Sequence, residues 1–472
     1  MKTFPLTEAE ELLKTTTSRC PVCRKPCPAE VWRVGGGTSQ VFLRRQCPEH
    51  GEISVCVASD ARFYWLSRGN PANAQGGCCG GGGNACCAAD GLSAGPLGKN
   101  GHRSGEVPFE TLSTCLALIE IVHSCNLSCP TCYANSPLEK NRVDAVPLSE
   151  VQRRVQGVID RKGGIEILQL SGGEPTLHPQ LFELLDWAHR HPKIDYLLLN
   201  TNGVRLAQEP DFASRLGRLF AGGGLQLYLQ FDGVQAAGQH WLRGADLRSV
   251  RQRALEACAA ANVPVTLAMT VTRDNIDHLW STIEFALRFP HVHGVTFQPM
   301  FGSGRIPANG LGVAGFKAGE KSSRLNTADI LLAAIAQSGG RLRIEDFTPL
   351  PCGDPNCATI GYLIRHGGRV HSVSDFIDFH QLQGFLKNKL HYTLEDLARC
   401  GCENEPLGTL LKALELKASM TFRLMVKPFM DAWTWDQDRI DRCCTHVIRS
   451  DGALDSFCRY YSGFADCTPA PR

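Results

Sequence analysis

The sequence has 472 residues, of which 43% are hydrophobic, and 49 basic against 47 acidic residues give a net charge of +2. This balance excludes the broad basic surface of a nucleic-acid-binding protein, and we find neither an apolar run of about 18 residues for a transmembrane segment nor a secretory leader. The 22 cysteines, in a chain expected to stay in the cytoplasm, predict metal or redox chemistry rather than a disulfide framework.

The first predicted unit covers residues 1–70 and holds two short metal-binding knuckles. Cys20 and Cys23 form the first, and Cys47 and His50 form the second. Two such pairs, each with two residues between the ligands, are typical of a closed four-ligand site for zinc or a single iron. Cys27 is an alternative ligand. We therefore expect a small rubredoxin-like or zinc-ribbon-like domain here.

Residues 71–110 form a second zone, rich in glycine and other small residues, and 76–83 contain only Gly and Cys. Two interpretations stay open for this zone. It is either a linker, or a segment that wraps an auxiliary cluster with Cys79, Cys86 and the more distant Cys115 as ligands.

Residues 111–300 alternate short apolar runs with amphipathic patterns such as Val151, Val155 and Val158. The apolar runs are Leu116–Val122, Ile165–Leu170, Tyr196–Leu199, Leu225–Leu229, Val265–Val271 and Val295–Phe297. Buried strands separated by helices of roughly 10–15 residues predict βαβ units and a parallel sheet. Six units are too few for a closed eight-stranded barrel, so we expect an open, partial barrel or a doubly wound sheet.

Three cysteines follow the first of these strands at the spacing C-x3-C-x2-C: Cys125, Cys129 and Cys132. Three thiolates hold three irons of a [4Fe–4S] cluster and leave one iron open for a bidentate ligand, since no fourth Cys lies nearby. A closed zinc site is the alternative, but it needs a fourth ligand. The loop also lies at the carboxyl end of a strand, where parallel α/β folds place their chemistry.

Polar residues follow the later strands. Gly172, Gly173 and Glu174 come after the second strand, where two glycines let a backbone approach a ligand and a carboxylate suits an ammonium group. The other candidates for cofactor or substrate contact are Asn202, Gln230, Asp232 and Gln298. Turn formation is the alternative for the Asn-Gly and Asp-Gly pairs.

Residues 301–472 are less regular and contain a cysteine set that suits an auxiliary cluster. Its candidate ligands are Cys352, Cys357, Cys443, Cys444 and Cys458. The apolar stretch Met420–Trp435 has two interpretations, core packing between domains or the lining of an apolar substrate pocket.

The cysteine loop followed by Ser171-Gly-Gly-Glu-Pro175 resembles the radical-SAM superfamily. The resemblance implies a partial (β/α)6 TIM-like barrel, here with small Cys-rich metal-binding domains at both ends. It also implies that S-adenosylmethionine (SAM) binds the open iron, with Glu174 receiving the methionine amino group. Reductive cleavage of SAM then gives a 5′-deoxyadenosyl radical that abstracts hydrogen from an unactivated carbon.

The order of motifs along nearly the whole chain resembles the archaeal tetraether-lipid synthase and pterin-methylating branch, the class D methylases. This implies C–C coupling of lipid chains or methylation of a dihydropterin, with methylenetetrahydrofolate as the proposed carbon source. It also implies one or two auxiliary clusters and an electron donor such as ferredoxin or flavodoxin. A lipid substrate would bring the chain transiently to a membrane. The sequence departs from the branch pattern between residues 78 and 115.

Three functional hypotheses therefore remain open. The first is a radical-SAM enzyme that forms C–C bonds or methylates carbon. The second is peptide modification or rearrangement on the same scaffold, and the third is a non-catalytic metal-binding protein. The expected domains are 1–70, 71–110, a radical-SAM core at 111–300, and a C-terminal auxiliary-cluster domain at 301–472.

Overall fold

The computed structural model describes residues 10–66, 114–137, 143–307, 324–350, 353–366, 368–375 and 420–463. Three of the predicted ligands, Cys79, Cys86 and Cys352, lie outside these residues, as does most of the 71–110 segment. The predictions for them therefore stay predictions.

The N-terminal unit is a four-stranded antiparallel sheet in chain order. Its strands are β1 (Glu10–Arg19), β2 (Pro26–Val34), β3 (Gln40–Cys47) and β4 (Gly51–Ala58), followed by a 3-10 turn at Ala61–Phe63. Alternate residues of β2 and β3, such as Val31 and Leu43, are buried in a small apolar core. The thiols of Cys20, Cys27 and Cys47 form a separate buried cluster.

Six parallel strands form the centre of the larger sheet and lie side by side in chain order. They are β5 (Leu116–Val122), β6 (Ile165–Gly172), β7 (Ile194–Thr201), β8 (Leu225–Gln230), β9 (Val265–Val271) and β10 (Val292–Pro299). The connecting helices are α1 (Leu148–Lys162), α2 (Leu181–Arg190), α3 (Val204–Gln208), α4 (Pro210–Leu219), α5 (Gln239–Arg243), α6 (Arg248–Ala260) and α7 (Leu279–Leu287). The predicted α/β fold with six βα units is confirmed.

Burial explains this arrangement. Every residue of β5 is buried, as expected for a parallel strand covered on both faces. Helix α1 turns Val151, Val155 and Val158 inward at helical spacing and ends at Gly163, whose φ of 82° is the left-handed conformation that favours glycine at this position.

Segments from the C-terminal third extend the same sheet at both edges. β14 (Thr421–Val426) pairs parallel with β10, and β15 (Thr445–Ile448) pairs parallel with β5. The remaining elements are α8 (Thr327–Gln337), β11 (Thr348–Pro349), β12 (Thr359–His366), β13 (Arg369–Ser372), α9 (Gln437–Asp441), β16 (Leu454–Ser456) and α10 (Phe457–Tyr461). The sheet thus continues across the boundary that we expected at residue 300.

Short 3-10 turns follow β6, β9 and β13, at Pro175–Leu177, Ile276–His278 and Val373–Asp375, and a further one follows α8 at Ile344–Asp346. Because β5 to β10 are parallel, the loops after their carboxyl ends meet at one edge of the sheet. The described part of the chain contains no helix that is both long and apolar enough to cross a membrane.

Candidate functional site

A cavity of about 240 Å³ lies at the carboxyl ends of the parallel strands. Most residues that the sequence singled out in the core contribute to its lining. These are Cys125, Cys129, Cys132, Gly172, Gly173, Glu174, Asn202, Gln230 and Gln298. The cavity therefore brings together residues from the ends of β5, β6, β7, β8 and β10.

The cysteine loop is held in place by backbone and side-chain contacts. Cys132 exchanges two backbone hydrogen bonds of 2.9 Å with Arg305, and the Thr131 hydroxyl donates to the carbonyl of Leu242 at 2.9 Å. Cys125 Sγ accepts a hydrogen bond from the backbone N–H of Leu127 at 3.4 Å.

The chemistry of these donors fits an iron–sulfur cluster with one open iron. Burial raises the pKa of the Cys125 thiol to about 12 and also raises that of Cys129, where Arg243 partly offsets it. Three thiols line one cavity, and no fourth cysteine is among the described residues that line it. Backbone N–H groups near sulfur favour the thiolate form that a metal needs.

Gly172 and Gly173 allow the end of β6 to pack closely against the backbone that leads into the cysteine loop. Gly172 has φ of 129°, and a Cβ at this position would lie 2.0 Å from the carbonyl oxygen of Val122. A Cβ on Gly173 would lie 2.2 Å from the carbonyl oxygen of Ser124. Both glycines line the cavity and also allow close approach to the chain's own carbonyls, so the predicted contact with a ligand stays a prediction.

Glu174 joins the ends of β6 and β7. Its carboxylate is 1% exposed and accepts hydrogen bonds from the Thr176 hydroxyl at 2.6 Å, the Thr201 hydroxyl at 2.9 Å and the Asn202 N–H at 2.8 Å. Burial raises the pKa of Glu174 despite these donors. The Asn202 amide continues the chain of contacts to Asn126 in the cysteine loop, at 2.7 Å.

Asp232 lies behind the cavity wall and is fully buried, not among the lining residues. Its oxygens accept from Arg243 Nε at 2.7 Å and from Arg251 Nη2 at 3.0 Å. Burial alone would raise the pKa of Asp232, but the two guanidinium groups hold it below its usual value. Asp232 therefore positions Arg243, and of these three residues it is Arg243 that lines the cavity.

Arg243 and a set of hydrogen-bonding contacts on the cavity floor were not predicted from the sequence. With its amide oxygen turned toward the guanidinium, Gln230 accepts from Arg243 Nη2 at 2.6 Å. Gln298 donates to the Tyr228 hydroxyl at 3.0 Å. In the sequence, only the polar residues at the ends of strands indicated this part of the site. Arg243 could not be recognised, because an arginine in a short helix belongs to no characteristic sequence pattern.

A second hydrogen-bonded array crosses β6 and β7. Gln169 Nε2 donates to Asn200 Oδ1 at 2.6 Å, Asn200 Nδ2 donates to Ser171 Oγ at 2.9 Å, and the Ser171 and Tyr133 hydroxyls lie 3.1 Å apart. All four side chains line the cavity. They offer amide and hydroxyl groups to a polar ligand.

The opposite side of the cavity is largely aromatic. Phe429 stacks on Phe457 with ring centroids 4.2 Å apart and lies 5.3 Å from Phe301. The stretch Met420–Trp435 packs in the core and also contributes to the cavity lining, and its role in a substrate pocket stays a prediction. Phe422 is buried in the sheet, whereas Met425 and Phe429 line the cavity.

The N-terminal knuckles converge as their spacing predicts. The ligand atoms of Cys20, Cys23, Cys47 and His50 all lie within 4.8 Å of one another. Cys20 Sγ and Cys47 Sγ are each 3.6 Å from His50 Nδ1. Three sulfurs and one imidazole nitrogen form a compact donor set of the kind that zinc or a single iron prefers. Cys27 is buried beside the group but is not part of it.

Three of the C-terminal cysteines, Cys357, Cys443 and Cys458, lie close enough to interact electrostatically, and Cys458 belongs to α10. Burial raises the pKa of Cys357 to about 11 and that of Cys458 to about 12, and each thiol lies within electrostatic range of Cys443. Cys458 Sγ accepts from the Met430 N–H at 3.3 Å. Backbone pairing brings Cys115 to Cys444, whose carbonyl accepts from the Cys115 N–H at 3.1 Å. The auxiliary cluster stays a proposal.

Comparison with protein families matches residues 119–286 to the Radical SAM superfamily and residues 12–59 to the HMPTM N-terminal zinc ribbon domain. The chain therefore carries a Radical SAM domain preceded by a zinc ribbon domain. Of the three hypotheses, this favours the two radical-SAM enzymes over the non-catalytic metal-binding protein.

Among individual proteins, the chain is similar to the 7,8-dihydro-6-hydroxymethylpterin dimethyltransferase of Methanocaldococcus jannaschii. The two are 25% identical over 95% of this chain and 93% of that protein. This confirms the resemblance to the pterin-methylating branch.

Other similarities are shorter. The mycofactocin maturase MftC of Mycobacterium ulcerans is 32% identical over 34% of this chain and 41% of its own length. The PqqA peptide cyclase of Streptomyces rochei is 34% identical over 36% of this chain and 44% of its own length. The crystal structure of Streptococcus suis SuiB bound to S-adenosylmethionine overlaps with a TM-score of 0.33 at 15% identity, over 42% of each chain.

Proposed function

We propose that this enzyme methylates a carbon of a small pterin-like heterocycle. The observation that carries the proposal is the extent of similarity to the pterin dimethyltransferase, which runs through the ribbon, the core and the C-terminal third. The similarities to the peptide maturase and the peptide cyclase cover little more than a third of the chain.

Cys125, Cys129 and Cys132 would hold a [4Fe–4S] cluster, and the zinc ribbon would hold its own ion with Cys20, Cys23, Cys47 and His50. When bound, the cluster and SAM supply the 5′-deoxyadenosyl radical. We assign Gly173, Asn202, Gln230 and Gln298 to contacts with SAM or substrate. Arg243, fixed by Asp232, presents a positive charge beside Cys129, which suits the carboxylate of an amino acid.

The cavity lining favours a heterocycle over a lipid chain. Gln169, Asn200 and Ser171 offer fixed hydrogen-bonding groups, which ring nitrogens and an amide can satisfy and an alkyl chain cannot. Phe301 and Phe429 offer a face for a planar ring and exclude water from it. A methylenetetrahydrofolate carbon donor and a ferredoxin or flavodoxin electron donor complete the proposal.

The experiment is an anaerobic assay of the protein reconstituted with iron and sulfide. Dithionite, SAM, 7,8-dihydro-6-hydroxymethylpterin and methylenetetrahydrofolate are added, and 5′-deoxyadenosine and pterin products are followed by mass spectrometry. We expect both products from the wild type and neither from Cys129→Ala. Cys258→Ala is the matched control, because Cys258 is buried in α6 away from the cavity.

The possible outcomes test the radical-SAM chemistry and the identity of the substrate separately. If 5′-deoxyadenosine forms and no pterin gains carbon, the methylation proposal fails, and coupled lipid chains or a modified peptide would identify the competing reaction. If Cys129→Ala still produces 5′-deoxyadenosine, the assignment of the cluster ligands fails.

A further inference from the structure

One arginine of the zinc ribbon reaches across to the segment that follows β14. Arg45, on β3, is 1% exposed and donates to the carbonyl oxygens of Arg19 at 2.9 Å, Ala432 at 2.7 Å and Trp433. The guanidinium thus joins the main chain of the ribbon to the main chain of the segment that follows β14.

The ribbon end of this bridge adjoins the metal site. Arg19 immediately precedes Cys20, and Arg45 stands two residues before Cys47. Cys20 Sγ and Cys47 Sγ lie at the same distance from His50, so the ion that these ligands suit would tie the ends of β1 and β3 together. The position of Arg45 therefore depends on the two strands that the ion joins.

The other end adjoins the aromatic wall. Asp431 precedes the two clamped carbonyls and accepts from the Gly302 N–H at 2.5 Å, and it also pairs with Arg324. Gly302 follows Phe301, and Phe429 lies two residues before Asp431. The clamped segment thus adjoins two of the three rings that form the wall, Phe301 and Phe429.

Further contacts strengthen the same junction. The Ser18 hydroxyl donates to the carbonyl of Trp435 at 2.6 Å, and Lys14 pairs with Asp436 at 2.7 Å. Trp435 is fully buried. All of these contacts link β1 or β3 to residues 432–436.

We propose that the zinc ribbon is a positioning domain for the catalytic cavity, with Arg45 as its positioning residue. Arg45 holds residues 429–433 so that Phe301 and Phe429 stand against the substrate. Loss of the clamp loosens the wall and admits water, so that radicals are consumed without product. The effect on product formation rests on the proposed function, whereas the effect on the wall does not.

The first test measures hydrogen exchange in the full-length protein with its metals bound. We expect peptides that cover residues 428–436 to exchange roughly tenfold faster in Arg45→Gln than in the wild type, because local opening becomes easier. Arg44→Gln is the matched control, since Arg44 pairs with Glu10 at 2.7 Å and lies over Trp32, all within the ribbon. Equal exchange in the two variants would overturn the proposal.

Ser18→Ala is a milder second variant in case Arg45→Gln does not fold. It removes one hydrogen bond to Trp435, and we expect a smaller increase in the same peptides. The contribution of the metal site is tested with His50→Ala, which keeps Arg45 and removes one of the four ligands of the ribbon site. An unchanged 428–436 segment in His50→Ala would show that the ion does not contribute to the clamp.

The second test is the ratio of methylated product to 5′-deoxyadenosine. We expect Arg45→Gln to lower this ratio. We also expect the fold increase in the KM for the pterin to exceed the fold decrease in kcat. Arg45→Lys should recover part of the lost product ratio. A ratio equal to that of Arg44→Gln would contradict the positioning role. If no variant, nor the wild type, methylates the pterin, the proposed function fails and the exchange result still decides this inference.

Discussion

Asp232 is a buried carboxylate that pairs with two arginines, Arg243 and Arg251. The sequence places it after β8, among residues expected to contact cofactor or substrate. In the fold it has φ of 61° and turns away from the cavity toward Arg243 and Arg251, so its effect on the cavity is indirect. Two buried guanidinium groups share one carboxylate, and removal of that charge leaves both without compensation.

We predict that Asp232→Asn lowers the free energy of unfolding by about 3–5 kcal/mol, because it keeps the size of the side chain but removes the buried counter-charge. The measurement is urea unfolding followed by circular dichroism. Asp246→Asn is the control, since Asp246 pairs with Arg248 in a far more exposed ion pair and should cost at most about 1 kcal/mol. Similar losses in both variants would contradict a special role for the buried pair.

At the scale of single residues, the sequence predicted those groups of ligands whose members are a few residues apart along the chain. Cys125, Cys129 and Cys132 line one cavity because they are neighbours along the chain, and the Cys20 and Cys47 pairs converge because β1, β2 and β3 pair in one antiparallel sheet. Arg243 could not be predicted in the same way. Its position depends on a carboxylate from another strand end and on the packing of α5 against the cysteine loop.

The Gly-Gly-Glu element illustrates a different limit. The sequence predicted that Gly172, Gly173 and Glu174 contact a cofactor after the second strand, and all three line the cavity. The sequence did not show that the glycines also serve the contact between two elements, since β6 ends against the backbone that leads from β5 into the cysteine loop. Gly173 N donates to the carbonyl of Val122 at 2.7 Å, which closes this junction.

We predict that Gly172→Ala destabilises the protein by about 3 kcal/mol or more, because it combines a positive φ with a steric overlap against fixed backbone. Thermal unfolding measures the loss, and iron content after reconstitution reports whether the cysteine loop is displaced. Gly36→Ala serves as the control. Gly36 has no positive φ and open space around its Cα, so its change should stay within about 0.5 kcal/mol. A Gly172→Ala protein as stable as the Gly36→Ala protein would refute this account.

At the scale of the whole molecule, the six central strands were predictable and the edges of the sheet were not. Each central strand is an apolar run with a helix close by, so local pattern is sufficient. β14 appeared in the sequence only as an apolar stretch, and its partner β10 lies more than a hundred residues earlier. β15 pairs with β5 across a still longer separation, for which no local signal exists. The long insertions between these partners concealed the continuity of the sheet.

Two histidines at the amino end of β10 give the whole molecule a predictable response to acid. His291 and His293 are packed beside Arg365 and Arg423, and burial, helped by these positive charges, lowers the pKa of each imidazole to about 4 from an ordinary value of 6.5. Between these values the unfolded chain binds more protons than the native protein. Stability is therefore fully present above pH 6.5 and falls as the pH is lowered toward 4.

We predict a slope of up to ~1.4 kcal/mol per pH unit for His291, and less for the more exposed His293 because solvent screens it. Urea midpoints measured at several pH values between 4.5 and 7 on roughly half-unit steps would give the slope. The double variant His291→Asn/His293→Asn should flatten this dependence. Protonation of the ribbon ligands also destabilises the protein in acid, but it does so equally in the wild type and in the double variant. The difference between the slopes of the wild type and the double variant therefore reports on His291 and His293 alone. Parallel slopes would mean that neither imidazole is neutral because of burial.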